Sequence, residues 1–345
     1  MQKKILISTG GSGGHVIPAT ILYEHLKDQS DVLITTDKRG AKFLKAEDYN
    51  FKVLNINSIT KNFFLIPLEF FFILWSIIRS LLFLKINKID ILISTGGYMS
   101  LALCVASKLL NIKLFLLEPN IVLGRSNKFF ISYCKKIFCY SDQIKKFPEK
   151  FRNKIISIPP LLRKNFYNLN KVEKINDKIN LLIIGGSQGA KIFDTLVKNS
   201  IIKLSKKYKF KVYQQSNINN FAILKKTYQD YHIECELFDY NEDVSDFMQK
   251  SNICITRAGA STLAELVFLN LPHVAIPLPT AKDNHQFENA NFYNKIGCNW
   301  ILNQNMSNED SMESIIINMI DNKKEYEEKQ KNMKNFSYQN SWNNI

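Results

Sequence analysis

A histidine closes a run of glycines and small hydroxyls near the start of the chain, GGSGGH at Gly10 to His15. A second such turn, GGSQGA at Gly185 to Ala190, recurs almost half a chain later. Glycines let the backbone approach an anion closely, and the free amides and dipole of a helix that starts there favour phosphate. An imidazole beside such a turn, with an unperturbed pKa near ~6.5, suits proton abstraction at neutral pH. His15 is therefore the first candidate for a general base; the alternative is a histidine that only bonds phosphate or backbone at a helix start. Glu118, in the loop LEPNIVLGRSN at Leu117 to Asn127, is the second candidate, its alternative being a carboxylate that holds the loop. Neither glycine turn fits GxGxxG or carries the lysine and Ser or Thr of a Walker loop. Either alone is equally a packing turn, and the pair points to two ligand-binding domains.

Both turns end short β-branched runs and precede periodic stretches, the pattern of strand, turn and helix. Strand-like runs fall near 4–8, 31–35, 51–54, 90–94, 113–117 and 136–139, then near 180–184, 209–214, 233–236, 252–255, 273–276 and 299–302. Helical stretches separate them, which predicts two parallel sheets covered on both faces. The boundaries expected are an N-terminal domain over 1–158, a Pro-Pro, Lys- and Asn-rich linker over 159–179 and a C-terminal domain over 180–345, two Rossmann-like α/β domains facing each other across a cleft. The last helix is expected either within the second domain or packed back on the first. Ligands in such sheets collect at the carboxyl ends of the strands. That directs attention to STGGYMS at Ser94 to Ser100, TRAGASTLAE at Thr256 to Glu265 and PTAKDNHQFENA at Pro279 to Ala290 as well. Ser261 and Thr262 start a helix after a glycine, as donors to a diphosphate or as plain N-terminal caps, with Glu265 one turn on as a ribose acceptor or a dipole partner.

With 46% hydrophobic and 22% charged residues over 345 positions, the composition excludes wholesale disorder. The net charge of +15, carried mostly by lysine, favours an anionic membrane surface. Nucleic acid is not expected, since no RNP-type, zinc-finger or recognition-helix pattern occurs. Six cysteines without a CxxC pair read as free thiols in a reducing compartment. The opening MQKKILISTGGSGGH is too brief an apolar run for a signal peptide, so the chain is expected in the cytoplasm. No Asp-x-Asp motif and no His/Cys ligand spacing is present, and neither metal nor cofactor is expected.

The segment FFLIPLEFFFILWSIIRSLLFL at Phe63 to Leu84 is long enough to raise the question of a membrane span. Pro67 suits a first helical turn, while Glu69, Ser76, Arg79 and Ser80 are expected on one side of the helix with a wide apolar face opposite. A span would also put neighbouring strands of one sheet on opposite sides of the bilayer. The reading is a helix that packs partly on its sheet and lies partly in a bilayer interface, with Lys61, Lys85 and Lys88 near its ends.

The ordered set GGSGGH with its following proline, GGY, the Glu118–Asn127 stretch, GGSQGA, RAGASTLAE and NHQFENA spans nearly the whole chain. In this the chain resembles the MurG family, the peptidoglycan N-acetylglucosaminyltransferases that act on undecaprenyl-diphospho-muramoylpentapeptide. The resemblance implies the GT-B fold, UDP-N-acetylglucosamine as donor, lipid I as acceptor and inversion at the anomeric carbon. It also implies a peripheral location on the cytoplasmic face of the inner membrane, with other cell-wall enzymes as possible company. By the same resemblance Ser12, Gly13, Gly14, Asn120, Arg163, Ser187, Ser261, Thr262, Glu265 and Gln286 would contact the donor. Glu265 would take the ribose hydroxyls, and Gln286, with His285 and Asn284 behind it, the sugar. Gly96, Gly97 and Tyr98 would meet the acceptor diphosphate, and His15, then Glu118, would serve as base. The family usually has threonine at the place of Ser12, and commonly His-Glu-Gln-Asn where this chain has Leu117, Glu118, Pro119 and Asn120. Rival readings are another GT-B UDP-sugar enzyme (a glycolipid transferase or an epimerase), a non-catalytic membrane-docked scaffold, and, third, a nicotinamide-dependent dehydrogenase.

Overall fold

Apolar runs too short for helices and without a polar face are stable only where both faces are covered, and that is the fate of Ile5–Leu6–Ile7. Ile5 and Ile7 join Val16, Ala19 and Ile34 on one side of a sheet, while Leu6 joins Leu92, Leu103 and Leu116 on the other. The computed structural model describes residues 2–54, 66–172, 175, 178–185, 191–239 and 244–344, and side chains of the helix at 66–86 from Phe71 onward. The chain divides between Leu161 and Leu162 into two compact units.

The first unit holds β1 (Lys4–Ser8), β2 (Asp31–Thr36), β3 (Phe51–Val53), β4 (Ile91–Ser94), β5 (Lys113–Glu118), β6 (Lys136–Cys139) and β7 (Ile155–Ser157). Its helices are α1 (Gly13–Leu26), α2 (Ile66–Ile86), α3 (Ser100–Leu109) and α4 (Arg125–Phe130). The strands lie in the order β3-β2-β1-β4-β5-β6-β7, all parallel. The order reverses beside β1, so the turns after β1, β2 and β4 are neighbours at the carboxyl edge, where open α/β sheets bind ligands. The pattern of the sequence leaves out β7, whose three residues follow a charged stretch.

In α2 the phase differs from the expected one. Ser80 and Leu84, one turn apart, are buried at 3% and 1% exposure and turn that side to the core. Phe71, Trp75, Ile78 and Leu82, spaced at helical intervals on the far side, are 62%, 53%, 48% and 55% exposed. Ser80 therefore belongs to the packed face, while Arg79 stays exposed. The physical reason is that α2 packs along α3, a helix of small buried residues such as Ala102 and Ala106, so the apolar residues left over face outward. Phe63 to Leu65 and Lys61 lie outside the described residues. Among the described residues no helix is long and apolar enough to cross a membrane.

The second unit holds β8 (Lys178–Ile184), β9 (Lys209–Gln215), β10 (Glu234–Phe238), β11 (Ile253–Thr256), β12 (His273–Ala275) and β13 (Trp300–Ile301). They lie in the order β10-β9-β8-β11-β12-β13, again all parallel. Its helices are α5 (Lys198–Leu204), α6 (Phe221–Asp230), α7 (Val244–Lys250), α8 (Ala260–Phe268), α9 (His285–Lys295), α10 (Glu309–Asp321) and α11 (Lys323–Ser337). Ile179, Leu181 and Ile183 enter one core cluster, and Leu182 and Ile184 the other. Leu162 and Phe166, in the stretch read as a linker, are buried in that second cluster. The C-terminal α11 docks on this unit, with Met333 buried and the Tyr326 hydroxyl donating to the Asn252 carbonyl at 2.8 Å.

Candidate functional site

The first unit carries a candidate site at the carboxyl edge of its sheet. Ser12 is the extended N-cap of α1, and Gly13 and Gly14 are its first residues, whose amides have no acceptor within the helix. After β4, Gly96 and Gly97 both take left-handed backbones, φ +88° and +84°. A Cβ on Gly97 would stand 3.2 Å from the Gly10 carbonyl oxygen, so only glycine lets the two turns meet this closely. Tyr98 follows, and α3 starts two residues on.

His15 sits between these turns, its ring 3.4 to 3.5 Å from the positions that side chains on Gly96 and Gly97 would occupy. Its Nδ1 lies 2.8 Å from the Thr95 carbonyl oxygen. A carbonyl only accepts, so Nδ1 carries the proton and Nε2 the lone pair. That is the tautomer a general base needs.

Glu118, at the end of β5, is 2% exposed. Its Oε1 accepts from the backbone and side-chain amides of Asn120, at 3.2 and 3.0 Å. Its Oε2 accepts from the Gly124 amide at 2.7 Å and from Asn127 Nδ2 at 3.0 Å. Four donors on one carboxylate make it the post around which the 118–127 loop is wound. Asn127 also donates to the Leu117 carbonyl at 3.0 Å, and its Nδ2 is 3.6 Å from where a Cβ of Gly96 would lie, which props the loop against the GGY turn.

The turn after β2 contributes a pair that patterning did not single out. Asp37 accepts from the amides of Gly11 (3.2 Å) and Gly40 (2.7 Å) and from Arg39 Nε and Nη2 (3.1 and 2.9 Å). Burial alone would raise its pKa, but the Gly40 amide, the Arg39 guanidinium and the Gly11 amide together hold it below the ordinary carboxylate value.

The second unit carries a candidate site of its own. Gly259 is the extended N-cap of α8, and Ala260, Ser261 and Thr262 form its first turn, an amide-lined anion site in principle. The Ser261 hydroxyl is buried and has no hydrogen-bond partner among the described residues. Glu265, 4% exposed, receives Arg163 Nε at 3.2 Å and Nη2 at 3.1 Å on Oε1. Burial pushes its carboxyl above the ordinary value, with Arg163 pulling the other way. Arg163, which lies in the Pro-Pro and lysine stretch, is thus an ion-pair partner whose guanidinium also covers the Phe166 ring at 5.0 Å.

Arg257, inside the TRAGASTLAE motif, has a bracing role that the motif does not reveal. It donates to the Ile276 and Pro277 carbonyls at 3.0 and 3.4 Å and so fixes the loop after β12. That loop leads to the Leu278 amide, which donates to Gln286 Oε1 at 2.9 Å, leaving the two Nε2 hydrogens of Gln286 for other acceptors. Asn289 ties α9 to the Ala258 carbonyl at 3.2 Å. Asn284 caps α9 in a left-handed backbone, and His285 Nδ1 bonds the Lys282 carbonyl at 2.8 Å. Beside the end of β9, Asp194 collects Gln214 Nε2, Ser216 Oγ and Asn220 Nδ2, each at 2.8 Å. Ser187, with the rest of the GGSQGA turn from Gly186, lies outside the described residues, as do the residues at 240–243. Among the described residues no group of three His, Cys, Asp or Glu side chains could hold a metal.

Residues 5–139 match the glycosyltransferase family 28 N-terminal domain and residues 180–343 its C-terminal domain. The chain is 65% identical, over all its length and 97% of the relative, to a Pelagibacter ubique (strain HTCC1062) UDP-N-acetylglucosamine–N-acetylmuramyl-(pentapeptide) pyrophosphoryl-undecaprenol N-acetylglucosamine transferase. It is 33% identical to the enzyme of that name from Rickettsia canadensis (strain McKiel), over 96% of this chain and 95% of the other. In fold it is similar to a crystal structure of MurG from Acinetobacter baumannii, with a TM-score of 0.78 over 97% of this chain and 95% of that one, at 22% identity.

Proposed function

From the premise that this chain belongs to glycosyltransferase family 28, among the N-acetylglucosaminyltransferases that carry the MurG name, we propose how its residues perform the reaction of that family. The reaction moves N-acetylglucosamine from UDP to the 4-hydroxyl of the N-acetylmuramoyl sugar of lipid I, giving lipid II. The anomeric carbon loses its bond to the β-phosphate oxygen of UDP and gains one to the acceptor O4, from the opposite face. The O4 proton goes to a base, and the electron pair leaves with UDP.

His15 Nε2 is that base. The observation that carries this reading is the Nδ1 contact to Thr95, which fixes the tautomer and pins the ring between two anion-binding turns. The amides of Gly13, Gly14 and Gly97 receive the acceptor diphosphate in the turns at Gly10–His15 and Gly96–Tyr98, where the Gly96 amide donates to the Ser94 hydroxyl at 3.1 Å and shapes the turn. Glu118 is a positioning residue, since its oxygens are taken up by the loop it holds. On the second unit, the first turn of α8 stabilises the departing diphosphate through its amides, Ser261 and Thr262. Glu265, aligned by Arg163, accepts the ribose hydroxyls, and Gln286 reads the sugar. Backbone amides and helix dipoles take the place that a divalent cation fills in other sugar transferases.

The exposed face of α2 supports peripheral attachment to the cytoplasmic leaflet. Phe71, Trp75, Ile78 and Leu82 would enter the acyl boundary, with exposed Arg79, Lys85 and Lys88 at the headgroups. The deciding experiment is transfer of radiolabelled N-acetylglucosamine from UDP to a lipid I analogue in EDTA. Labelled lipid product is expected. Donor binding without product, with or without added metal, would sink the reading and leave a scaffold or a different acceptor.

A further inference from the structure

In the first sheet β1 lies between β2 and β4, so three turns adjoin at one edge. Two of them, Gly10–His15 and Gly96–Tyr98, offer amides to an anion but contain no arginine or lysine. The third, after β2, brings Asp37 and Arg39. Asp37 reaches the first turn directly by accepting the Gly11 amide. Left alone, a nearly buried carboxylate at a phosphate turn would repel a diphosphate. Arg39 cancels that charge and stands close by, with Nη2 3.7 Å from the point a Cβ on Gly11 would occupy.

The guanidinium is not buried by this duty. Its side chain is 68% exposed against 12% for Asp37. Asp37 engages Nε and Nη2, so three of the five N–H donors remain for another partner. The turn is also rigidly seated. Gly40 follows Arg39 and would clash with the Thr36 hydroxyl if it bore a side chain, and the Phe43 ring lies 3.4 Å from the Cβ position of Gly13 at the start of α1. An exposed arginine held in place beside an amide-lined turn binds an anion without first paying the entropy of ordering its own chain.

We propose that Arg39, braced by Asp37, is an anion-binding residue at the carboxyl edge of the first sheet, gripping the acceptor diphosphate that the Gly10–His15 turn receives. This rests on the assignment of that turn to the acceptor, and it deepens that assignment by adding a cation to a site otherwise made of amides.

The test uses the full chain and a short-chain prenyl diphosphate, geranyl diphosphate, with geranyl monophosphate as comparison, measured by calorimetry at several salt concentrations. Arg39→Gln is expected to weaken diphosphate binding by about ten- to a hundredfold. It should weaken monophosphate binding less, flatten the salt dependence and leave UDP binding unchanged, with the melting temperature lowered only by what Asp37 loses when Oδ2 gives up its two donors. With a lipid I analogue the acceptor KM should rise while kcat stays within about threefold. Arg39→Lys keeps a cation for Asp37 and is read if the glutamine variant fails to fold; it is expected to lose about fivefold or more by giving up the planar fork. Diphosphate binding within twofold of wild type in both variants would overturn the proposal, as would equal losses for UDP and geranyl diphosphate. Wild-type binding of geranyl diphosphate without any sugar transfer would instead overturn the transferase reading and leave Arg39 standing.

Discussion

The Nδ1 of His15 and the carbonyl oxygen of Thr95 lie 2.8 Å apart, although 80 residues separate them in the chain. They meet because β1 and β4 are adjacent parallel strands, so the residues that follow each emerge side by side. The contact decides which ring nitrogen holds the proton, and with it whether His15 can accept one from a substrate.

Replacing His15 by alanine should lower kcat by about a hundred- to ten-thousandfold with both KM values nearly unchanged. His15→Asn places an amide nitrogen where Nδ1 stands and can still donate to Thr95 but cannot take up a proton, and it should be as inactive as the alanine variant. Steady-state kinetics across pH provide the check. An asparagine variant within a few-fold of wild type would remove His15 as the base.

Glu118→Ala leaves four donors without their acceptor and should cost about 3 kcal/mol or more in urea unfolding, since each unsatisfied buried group costs roughly 1–3 kcal/mol. Glu118→Gln, which keeps one acceptor oxygen, should cost about half as much, and its kcat should fall in step with the disorder of the loop. Loss of turnover in the glutamine variant at full stability would transfer the base role to Glu118.

On α2, Trp75→Glu and Leu82→Glu alter residues that are 53% and 55% exposed. Each should reduce binding to phosphatidylglycerol vesicles by about tenfold, given that burying a large apolar side chain is worth roughly 1.5–3 kcal/mol. Melting temperature and turnover of a water-soluble acceptor should not change. Sedimentation with vesicles that is indifferent to both changes would place the membrane contact elsewhere.

His273 provides a pH signature of folding. It is fully buried on β12, with Nδ1 on the Leu271 carbonyl at 2.9 Å, and burial lowers its pKa from 6.5 to about 4. The unfolded chain takes up its proton near 6.5 and the native state only near 4. Stability is therefore whole above the first value and falls as the pH drops towards the second, by about 3 kcal/mol at most. Urea unfolding at pH 7 and pH 4.5 should show a loss that His273→Gln reduces by about 2 kcal/mol. Parallel losses in the two proteins would assign the acid sensitivity to other groups.

What the sequence determined alone is the portion of the molecule governed by local repetition. Ile5–Leu6–Ile7 and Leu181–Leu182–Ile183 have no polar side to offer water, so each had to be an inner strand of a doubly covered sheet, and the glycines after the first of them had to turn. That is why the two sheets, the first glycine turn and the start of α8 were legible from residue types and spacing. The ordered motifs added the reaction class.

Tertiary structure decided what depends on partners brought from afar. Arg163 reads as a solvated linker residue until folding sets it on Glu265, which lies 102 positions away. Glu118 reads equally as base or brace until four donors converge on it. Ser80 belongs to a polar stripe on a helical wheel, and only the approach of α3 turns it inward. Asp37 and Arg39 carry no motif at all, and they reach the glycine turn because parallel strands deliver successive loops to one edge of a sheet. A period of two or of 3.6 residues is encoded within a few positions of chain, whereas the strand order that makes distant loops neighbours is fixed only when the whole sheet has closed over its core.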